Sequence, residues 1–169
     1  GLNLGDEAIL HSIVQSLQRE ADLLIFSRDA ADTRSRHKAK TVAVRSLTME
    51  QSREVVARLD VLIFGGGGLL FDEEAELFLR EVRIAHELRV PVVVYGISAG
   101  PLRKPHVREA VREALEPCAA ITVRDRHGLQ LLQDLGVQKP VQLTADPALL
   151  LQPAALPKLR ELATRWNDE

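Results

Sequence analysis

The sequence has little cysteine, little charge imbalance and no long apolar run, and each of these absences excludes a class of protein. A single cysteine among 169 residues, Cys118, excludes an internal disulfide and a zinc site built from cysteines, so a reducing cytoplasm is the expected compartment. No apolar stretch reaches the length of a transmembrane helix. With 22 basic and 24 acidic residues the net charge is -2, which gives no electrostatic reason to expect a nucleic-acid partner.

The sequence does contain a regular alternation of short apolar segments with helical patterns. Six segments have the β-branched and aromatic composition of buried strands: residues 23–26, 41–44, 61–64, 91–95, 120–123 and 141–143. Each is followed by a helical pattern, which predicts an α/β fold, a doubly wound open parallel sheet with helices on both faces. The expected organisation of residues 1–169 is a single domain.

Local signals place the ends of several helices. Thr48 with Gln51 has the spacing of a capping box, and Gly136 suits the residue after a helix. Residues 72–74 are predicted to open a helix that runs to residue 88, and Pro105 is expected to interrupt the helix after the fourth strand. A closing amphipathic helix is expected to end near Trp166. Its apolar stripe, which includes Trp166, is expected to need a partner surface.

Polar and glycine residues gather at the predicted carboxyl ends of the strands, the edge at which open parallel sheets bind ligands. A run of four glycines after residues 61–64 permits close approach of a ligand and could cradle an anion, or it could serve only a tight turn. Arg124 suits a phosphate or carboxylate, or a structural ion pair with Asp125 or Asp146. The candidate residues at this edge are Asn3, Asp6, Gly65, Gly66, Gly67, Gly68, Gly96, Gly100, Arg124 and Asp146.

Residues 3–10 read as the turn and helix that follow a strand, yet no strand precedes them. We therefore expect the natural protein to extend upstream and to place its first strand centrally in the sheet. The alternative is a frayed terminus. Asn3 and Asp6 could likewise serve only to cap the first helix.

Three established chemistries can be tested against the glycine segments. Leu69 and Leu70 occupy the positions where a Walker loop needs lysine and serine or threonine, so an ATPase is excluded. A dinucleotide fingerprint starting at Gly66 would need glycine where Phe71 stands. Residues 96–100 match the G-x-S-x-G pattern of a serine hydrolase with Ser98 as nucleophile, but no histidine follows Asp146. Ser98 is therefore more simply a turn residue, with the hydrolase as the alternative.

Metal catalysis has no support in the sequence. The five histidines stand singly, without the spacing of metal ligands, and we expect each to lie on the surface. No metal site and no cofactor are expected.

Five segments, taken in order, resemble the polysaccharide pyruvyl transferase family: residues 3–10, 65–70, 96–102, 121–125 and 144–147. The resemblance covers nearly the whole chain and the N-terminal half of the family. It implies a Rossmann-like N-terminal domain of a GT-B-like protein, with the active site between this domain and a C-terminal domain absent from the sequence. The family's usual Gln-Gly-Ile-Gly-Pro turn is replaced here by Gly-Ile-Ser-Ala-Gly-Pro, which leaves the acceptor contacts of that loop open.

The resemblance also implies an activity. Such enzymes transfer the enolpyruvyl group of phosphoenolpyruvate onto a sugar of a cell-surface polysaccharide or its lipid-linked precursor, so phosphoenolpyruvate and a glycan are the expected partners. A lipid-linked acceptor would bring peripheral membrane association. By this resemblance Arg124 would hold phosphoenolpyruvate, and Asp6 and Asp146 would be general acid and base. The expected substrate-binding residues are Asn3, Gly66, Gly67, Gly68 and Gly100. A non-catalytic sugar- or nucleotide-binding domain remains an alternative.

We also expect this chain to be catalytically silent by itself, because an open face with one arginine cannot hold a doubly anionic substrate tightly.

Overall fold

The structure is a computed structural model that describes residues 3–152. Seven strands are present among these residues: β1 (Leu24–Ser27), β2 (Lys40–Ala43), β3 (Leu62–Gly65), β4 (Gly68–Leu70), β5 (Val92–Ala99), β6 (Ala120–Val123) and β7 (Val141–Leu143). The helices are α1 (Leu4–Leu17), α2 (Ala30–His37), α3 (Met49–Val56), α4 (Ala75–Glu87), α5 (Pro105–Leu115) and α6 (Arg126–Asp134), with short 3-10 helices at Val44–Ser46 and Pro147–Leu150.

Every strand pair that the structure describes is parallel, as predicted. The larger sheet has the order β3-β5-β6-β7, and β4 pairs with the carboxyl half of β5. Strands β1 and β2 form a separate two-stranded sheet, and within residues 3–152 the only strand hydrogen-bonded to β3 is β5. With its helices packed around the parallel strands, the chain has the doubly wound, Rossmann-like α/β fold expected from the sequence.

The core lies between the larger sheet and the helices α3, α4, α5 and α6. Val92 and Val94 of β5 are fully buried there, and Leu79 and Val82 of α4 pack against the same cluster. Burying a side chain of this kind contributes roughly 1.5–3 kcal/mol. This packed layer fixes the strands, and hence the positions of their carboxyl ends.

Several local predictions are confirmed. Thr48 and Gln51 form both hydrogen bonds of a capping box at the start of α3. The predicted apolar stripe of α5 is buried along its whole length. Gly136 follows α6 with φ +80°, in the left-handed region that favours glycine.

Two predictions about helix starts are wrong. Helix α4 begins at Ala75 rather than within residues 72–74, because the Asp72 carboxylate accepts hydrogen bonds from the backbone amides of Arg103 and Lys104. Those contacts hold residues 72–74 as a turn. Pro105 does not interrupt a helix but is the first residue of α5, where its missing N–H costs nothing.

Ser98 is not a turn residue, because β5 continues through it to Ala99. The extension is stabilised by β4, which the sequence did not predict. Gly68 is the register partner of Ser98, and the Ser98 amide donates to the carbonyl of Gly67 at 3.1 Å. The glycine segment is thus partly a loop, at Gly66 and Gly67, and partly a strand.

No helix among residues 3–152 is long and apolar enough to cross a membrane. The predicted closing helix with Trp166 lies outside the described residues.

Candidate active site

The loop at Gly66 and Gly67 opens at the carboxyl end of β3. Both residues have positive φ, +102° and +116° respectively, so both need glycine. No atom lies within 4 Å of the place where a Cβ of Gly66 would stand, whereas a Cβ on Gly67 would overlap the carboxylate of Asp6. Gly68 is less open, since its Cβ position is 2.7 Å from the ring of Phe71. The open part of the segment is therefore Gly66, beside Asp6.

Asp6 is brought to this loop by the first turn of α1. The Asn3 side chain caps the helix by accepting from the amides of Gly5 and Asp6, at 2.9 and 3.3 Å. This confirms the capping interpretation of Asn3, and its role in substrate binding stays a prediction. Further along α1, the buried Ser12 hydroxyl donates to the Pro147 carbonyl at 2.6 Å. This hydrogen bond fixes α1 to the segment that carries Asp146.

The position of Asp6 changes the pKa of its carboxyl group. Partial desolvation raises the pKa of Asp6 above its ordinary value, and the negative charge of Glu7 acts in the same direction. The positive charges of Arg124 and Arg28 oppose this shift without cancelling it. A carboxyl with a raised pKa is suited to give a proton to a substrate at a pH where most carboxyls are ionised.

Arg124 follows β6 and makes the ion pair that the sequence analysis left open. Its Nη1 donates to Asp146 Oδ2 at 2.7 Å, and its Nε lies 4.0 Å from Asp125 Oδ2. The Arg124 side chain keeps a quarter of its surface exposed. Asp146 also caps the 3-10 helix Pro147–Leu150 by accepting from the Ala148 amide. Arg124 is therefore positioned by protein carboxylates and still reachable from solvent.

The serine hydrolase constellation does not form among residues 3–152. Ser98 donates its hydrogen bond to the carboxylate of Asp125 and has no histidine partner in this part of the chain. Burial acts to raise the pKa of Asp125, but the hydrogen bonds from Ser98 and the Gly128 amide, with the charge of Arg124, lower it overall. Ser98 also lies within a strand rather than on the sharp strand-to-helix turn that exposes such a nucleophile.

Protein side chains fill the space beside the glycines within and after β5. A Cβ on Gly96 would stand 2.7 Å from Pro147 Cγ. A Cβ on Gly100 would be 3.0 Å from both His127 Nε2 and Leu131 Cδ2, and the Gly100 amide donates to the carbonyl of Leu70 at 2.8 Å. Gly100 was predicted to bind substrate, but its surroundings fit a packing residue, and its contact with a ligand stays a prediction.

Two further cations lie at this edge that were not predicted from the sequence. Arg28 follows β1 and Arg45 follows β2, and both guanidinium groups lie within 4.0 Å of the Glu74 carboxylate. Each arginine stands within two residues of a strand end, as Arg124 does, so the position of the strand ends was the signal that could have found them. The carboxyl edge thus carries three arginines interleaved with acidic groups.

No group of three or more His, Cys, Asp or Glu side chains within residues 3–152 is arranged to hold a metal ion. The expected surface position is wrong for two histidines, and the first, His86, is half-buried with its Nε2 2.8 Å from the Ala114 carbonyl oxygen. His37 is buried, and its Nε2 lies 2.8 Å from the carboxylate of Glu7. This contact joins α2 to α1.

The doubly wound sheet places the protein in the class of open α/β folds whose ligands bind at the carboxyl edge, where this chain has an open glycine loop, a partly exposed arginine and a carboxyl of raised pKa. Within that class the comparison with known families is decisive. The family model described as polysaccharide pyruvyl transferase matches residues 3–168, nearly the whole chain, and the chain belongs to this family. No curated protein matches the chain.

Proposed function

We propose that the protein is a ketal pyruvyl transferase that moves the enolpyruvyl group of phosphoenolpyruvate onto a sugar of a cell-surface polysaccharide or of its lipid-linked precursor. Membership of the polysaccharide pyruvyl transferase family supports this proposal. The observation that carries it is the position of Asp6, whose carboxylate lies against Gly67, next to the open Gly66, and whose ionised form is stabilised by the positive charge of Arg124. A cation and a proton donor are what an enol phosphate requires.

Arg124 is the proposed anchor for the donor. Phosphoenolpyruvate carries a phosphate and a carboxylate, and both bind well to the planar fork of a guanidinium. Arginine has five N–H donors, and the contact with Asp146 uses Nη1, so the same side chain can hold Asp146 and a ligand oxygen together. Phosphoenolpyruvate has more charge than one arginine balances, so further cations from a second domain complete the site in this proposal.

Asp6 and Asp146 have distinct proposed roles. Asp6 gives its proton to the methylene carbon of phosphoenolpyruvate, and the adjacent carbon becomes an oxocarbenium-like centre. One sugar hydroxyl bonds to that centre and loses its proton to the Asp146 carboxylate. The bond to the phosphate oxygen then breaks and phosphate leaves with the electron pair. A second sugar hydroxyl bonds to the same carbon to close the ketal and loses its proton to the Asp6 carboxylate, which restores the acid. The proton held by Asp146 passes to the released phosphate, so the net products are pyruvyl ketal and inorganic phosphate.

In this proposal the reaction takes place in the cytoplasm, with peripheral membrane association when the acceptor is lipid-linked. The open Gly66 lies against the acceptor or its phosphate. The cleft is completed by a C-terminal domain, and residues 1–169 alone are catalytically silent.

The test is turnover by the full-length protein. We expect release of phosphate from phosphoenolpyruvate that depends on a lipid-linked sugar acceptor, with a matching gain of pyruvyl mass on the acceptor. Arg124→Ala should lower kcat/KM for phosphoenolpyruvate at least about a hundredfold, the size of effect seen when one charge-stabilising donor is removed. Arg126→Ala is the matched control, since Arg126 is the exposed neighbouring arginine, and it should stay within about threefold of wild type.

The alternatives give different results in the same experiment. Labelling of Ser98 by a fluorophosphonate would favour a hydrolase and contradict the proposal. Binding of a sugar or nucleotide by calorimetry with no phosphate release from any acceptor would favour a non-catalytic binding domain.

A further inference from the structure

Three charged side chains at the carboxyl edge form a cluster that the proposed reaction does not use. Arg28 follows β1, Arg45 lies in the 3-10 helix after β2, and Glu74 immediately precedes α4. The Glu74 Oε1 oxygen lies 3.9 Å from Arg28 Nη2 and 3.8 Å from Arg45 Nη2. With two positive charges and one negative charge, this Glu74 cluster keeps a net positive charge.

The arginines of the Glu74 cluster have unused hydrogen-bond donors. Both distances to Glu74 are longer than an N–H···O hydrogen bond, which spans about 2.7–3.2 Å. Neither guanidinium is hydrogen-bonded to another residue among residues 3–152. The Arg28 and Arg45 side chains are 65% and 40% exposed, so a ligand from solution can reach their N–H groups.

The backbone that carries Arg45 is held in place by α4. Arg80 Nη2 donates to the carbonyl oxygen of Val44 at 2.7 Å, and Arg80 Nε donates to Glu81 Oε1 at the same distance. Glu81 is buried, which fixes the Arg80 side chain. Because Glu74 stands at the start of the same helix, these contacts fix Arg45 and Glu74 relative to one another.

The backbone on both sides of Arg28 is also hydrogen-bonded. Ser27 Oγ accepts from the Asp29 amide at 3.1 Å and lies 2.7 Å from Thr33 Oγ1. Asp29 caps α2 by accepting from the Asp32 amide at 3.0 Å. Arg28 therefore extends from a turn that is fixed at its two neighbours.

The Glu74 cluster lies near the proposed proton donor. Burial raises the pKa of Asp6, and the positive charges of Arg124 and Arg28 both oppose that shift. Because the interaction between charges falls with distance, both arginines stand close to Asp6. Arg124 follows a strand of the larger sheet and Arg28 follows a strand of the smaller one, so ligands at Asp6 meet two separate cationic positions.

We propose that Arg28 and Arg45 bind a phosphate group of the acceptor substrate, the group that joins its sugar to a lipid. The anion site follows from the contacts above, and the acceptor as its ligand rests on the proposed function. Guanidinium groups bind phosphate oxygens through paired N–H donors, and the net positive charge of the cluster attracts an anion. The donor already has Arg124 as its anchor, which leaves this second site for the acceptor.

The site has a consequence for the choice of acceptor. A finished polysaccharide has no lipid phosphate beside the reacting sugar, so Arg28 and Arg45 favour the lipid-linked precursor. Glu74 holds the two like charges together before a ligand binds, but its carboxylate repels an incoming phosphate. Glu74 and the two arginines therefore have opposite effects on the affinity for the acceptor.

The first test is the binding of inorganic pyrophosphate, measured by calorimetry, to the full-length protein carrying Arg124→Ala, which lacks the donor anchor. Adding Arg28→Ala or Arg45→Ala should weaken binding at least about tenfold, because each removes charge-assisted hydrogen bonds. Adding Glu74→Gln should instead tighten binding by about twofold to fivefold. A misfolded variant would not bind more tightly, so this gain separates an effect on the site from a loss of structure.

The matched control is Arg58→Ala in the same background. Arg58 is also an exposed arginine, but it stands between α3 and β3, at the amino edge of the sheet. Its removal should leave the affinity for pyrophosphate within about twofold.

The second test identifies the source of the phosphate, with Arg124 restored. Arg28→Ala and Arg45→Ala should each raise the KM for a lipid-linked acceptor about tenfold and leave the KM for phosphoenolpyruvate within about threefold. With a phosphate-free oligosaccharide as acceptor, neither substitution should change the KM of that acceptor.

Three outcomes overturn the inference. Unchanged pyrophosphate affinity in Arg28→Ala and Arg45→Ala, or weaker binding in Glu74→Gln, would show that the cluster is not an anion site. A rise in the KM for phosphoenolpyruvate alone would assign the phosphate to the donor. If pyrophosphate bound as expected but no acceptor supported release of phosphate from phosphoenolpyruvate, the proposed function and the acceptor assignment would both fail, while the anion site would stand.

Discussion

Gly66, which follows β3, and Gly96 and Gly100, which lie within and after β5, stand at the same edge of the sheet but have opposite surroundings. Gly66 has φ +102° with open space beside it, and Gly100 has φ +103° with His127 and Leu131 against it. Gly96 is covered by Pro147 in the same way. The same residue type therefore leaves room for a ligand at one strand end and room for the protein itself at the next. Sequence alone treated both as one kind of segment.

The largest expected effect in this comparison is at Gly96, where a Cβ would stand closer to its neighbour than at Gly66 or Gly100. Gly96→Ala would set a methyl group against the ring of Pro147, which Ser12 holds through its carbonyl. Overpacking costs about 1–3 kcal/mol, and the left-handed backbone at φ +57° adds about 1–2 kcal/mol. We expect the free energy of unfolding to fall by about 2–5 kcal/mol in denaturant titration.

Gly136→Ala is the matched control for Gly96→Ala. Gly136 also has positive φ, +80°, but a Cβ there would meet only Arg112 Cδ, at 4.0 Å. Gly136→Ala should lower the free energy of unfolding only by the cost of the left-handed backbone, about 1–2 kcal/mol. Equal losses in the two variants would contradict the packing role of Gly96.

A smaller effect should separate Gly66 from Gly100, whose φ values are nearly equal. Alanine at either position strains the backbone by about 1–3 kcal/mol. Gly100→Ala should lose additional stability, because His127 and Leu131 must shift. Gly66→Ala should instead raise the KM for phosphoenolpyruvate or acceptor in the full-length protein. If Gly100→Ala raised KM and Gly66→Ala did not, the assignment of the two segments would be reversed.

The smallest expected effect is on the pH dependence of stability, which should differ in sign between Asp6 and Asp72. The pKa of Asp6 is raised from 3.8, so the native state binds more protons than the unfolded chain, and a penalty develops as pH rises from 3.8 through the native pKa. Asp6→Asn should remove that penalty, raising the melting temperature slightly at pH 7 but not below pH 3.8.

Asp72 should behave in the opposite way. The amide of Lys104, with that of Arg103, lowers the pKa of Asp72 below 3.8, so its stabilisation is present above 3.8 and is lost as pH falls through the native pKa. Asp72→Asn should therefore lower the melting temperature at pH 7 and approach wild type in acid. Parallel pH profiles for Asp6→Asn and Asp72→Asn would contradict these assignments.

The comparison also shows what the sequence could predict. The capping box at Thr48, the buried stripe of α5 and the terminal Gly136 follow from neighbours along one element, and all three are confirmed. The six apolar strands are confirmed for the same reason, since buried parallel strands carry their own composition.

The errors arise where distant segments meet. Strand β4 has no strand-like composition and exists because the carboxyl half of β5 pairs with it. The late start of α4 depends on amides of residues 103 and 104. The sequence placed four residues of the candidate site at one edge, and the structure brings them together there: Asp6, Gly67, Arg124 and Asp146. It could not show that side chains from α6 and Pro147 fill the space beside Gly100 and Gly96.

The most direct test of the account is a map of where phosphoenolpyruvate touches the full-length protein. Amide chemical shifts should be followed while phosphoenolpyruvate is titrated to saturation. The account predicts saturable shifts at Gly66 and Gly67 and at the Arg124 side-chain Nε–H, with the Arg124 signals lost and the affinity reduced in Arg124→Ala. Saturable shifts confined to Gly96 and Gly100, with Gly66, Gly67 and Arg124 unchanged, would contradict it.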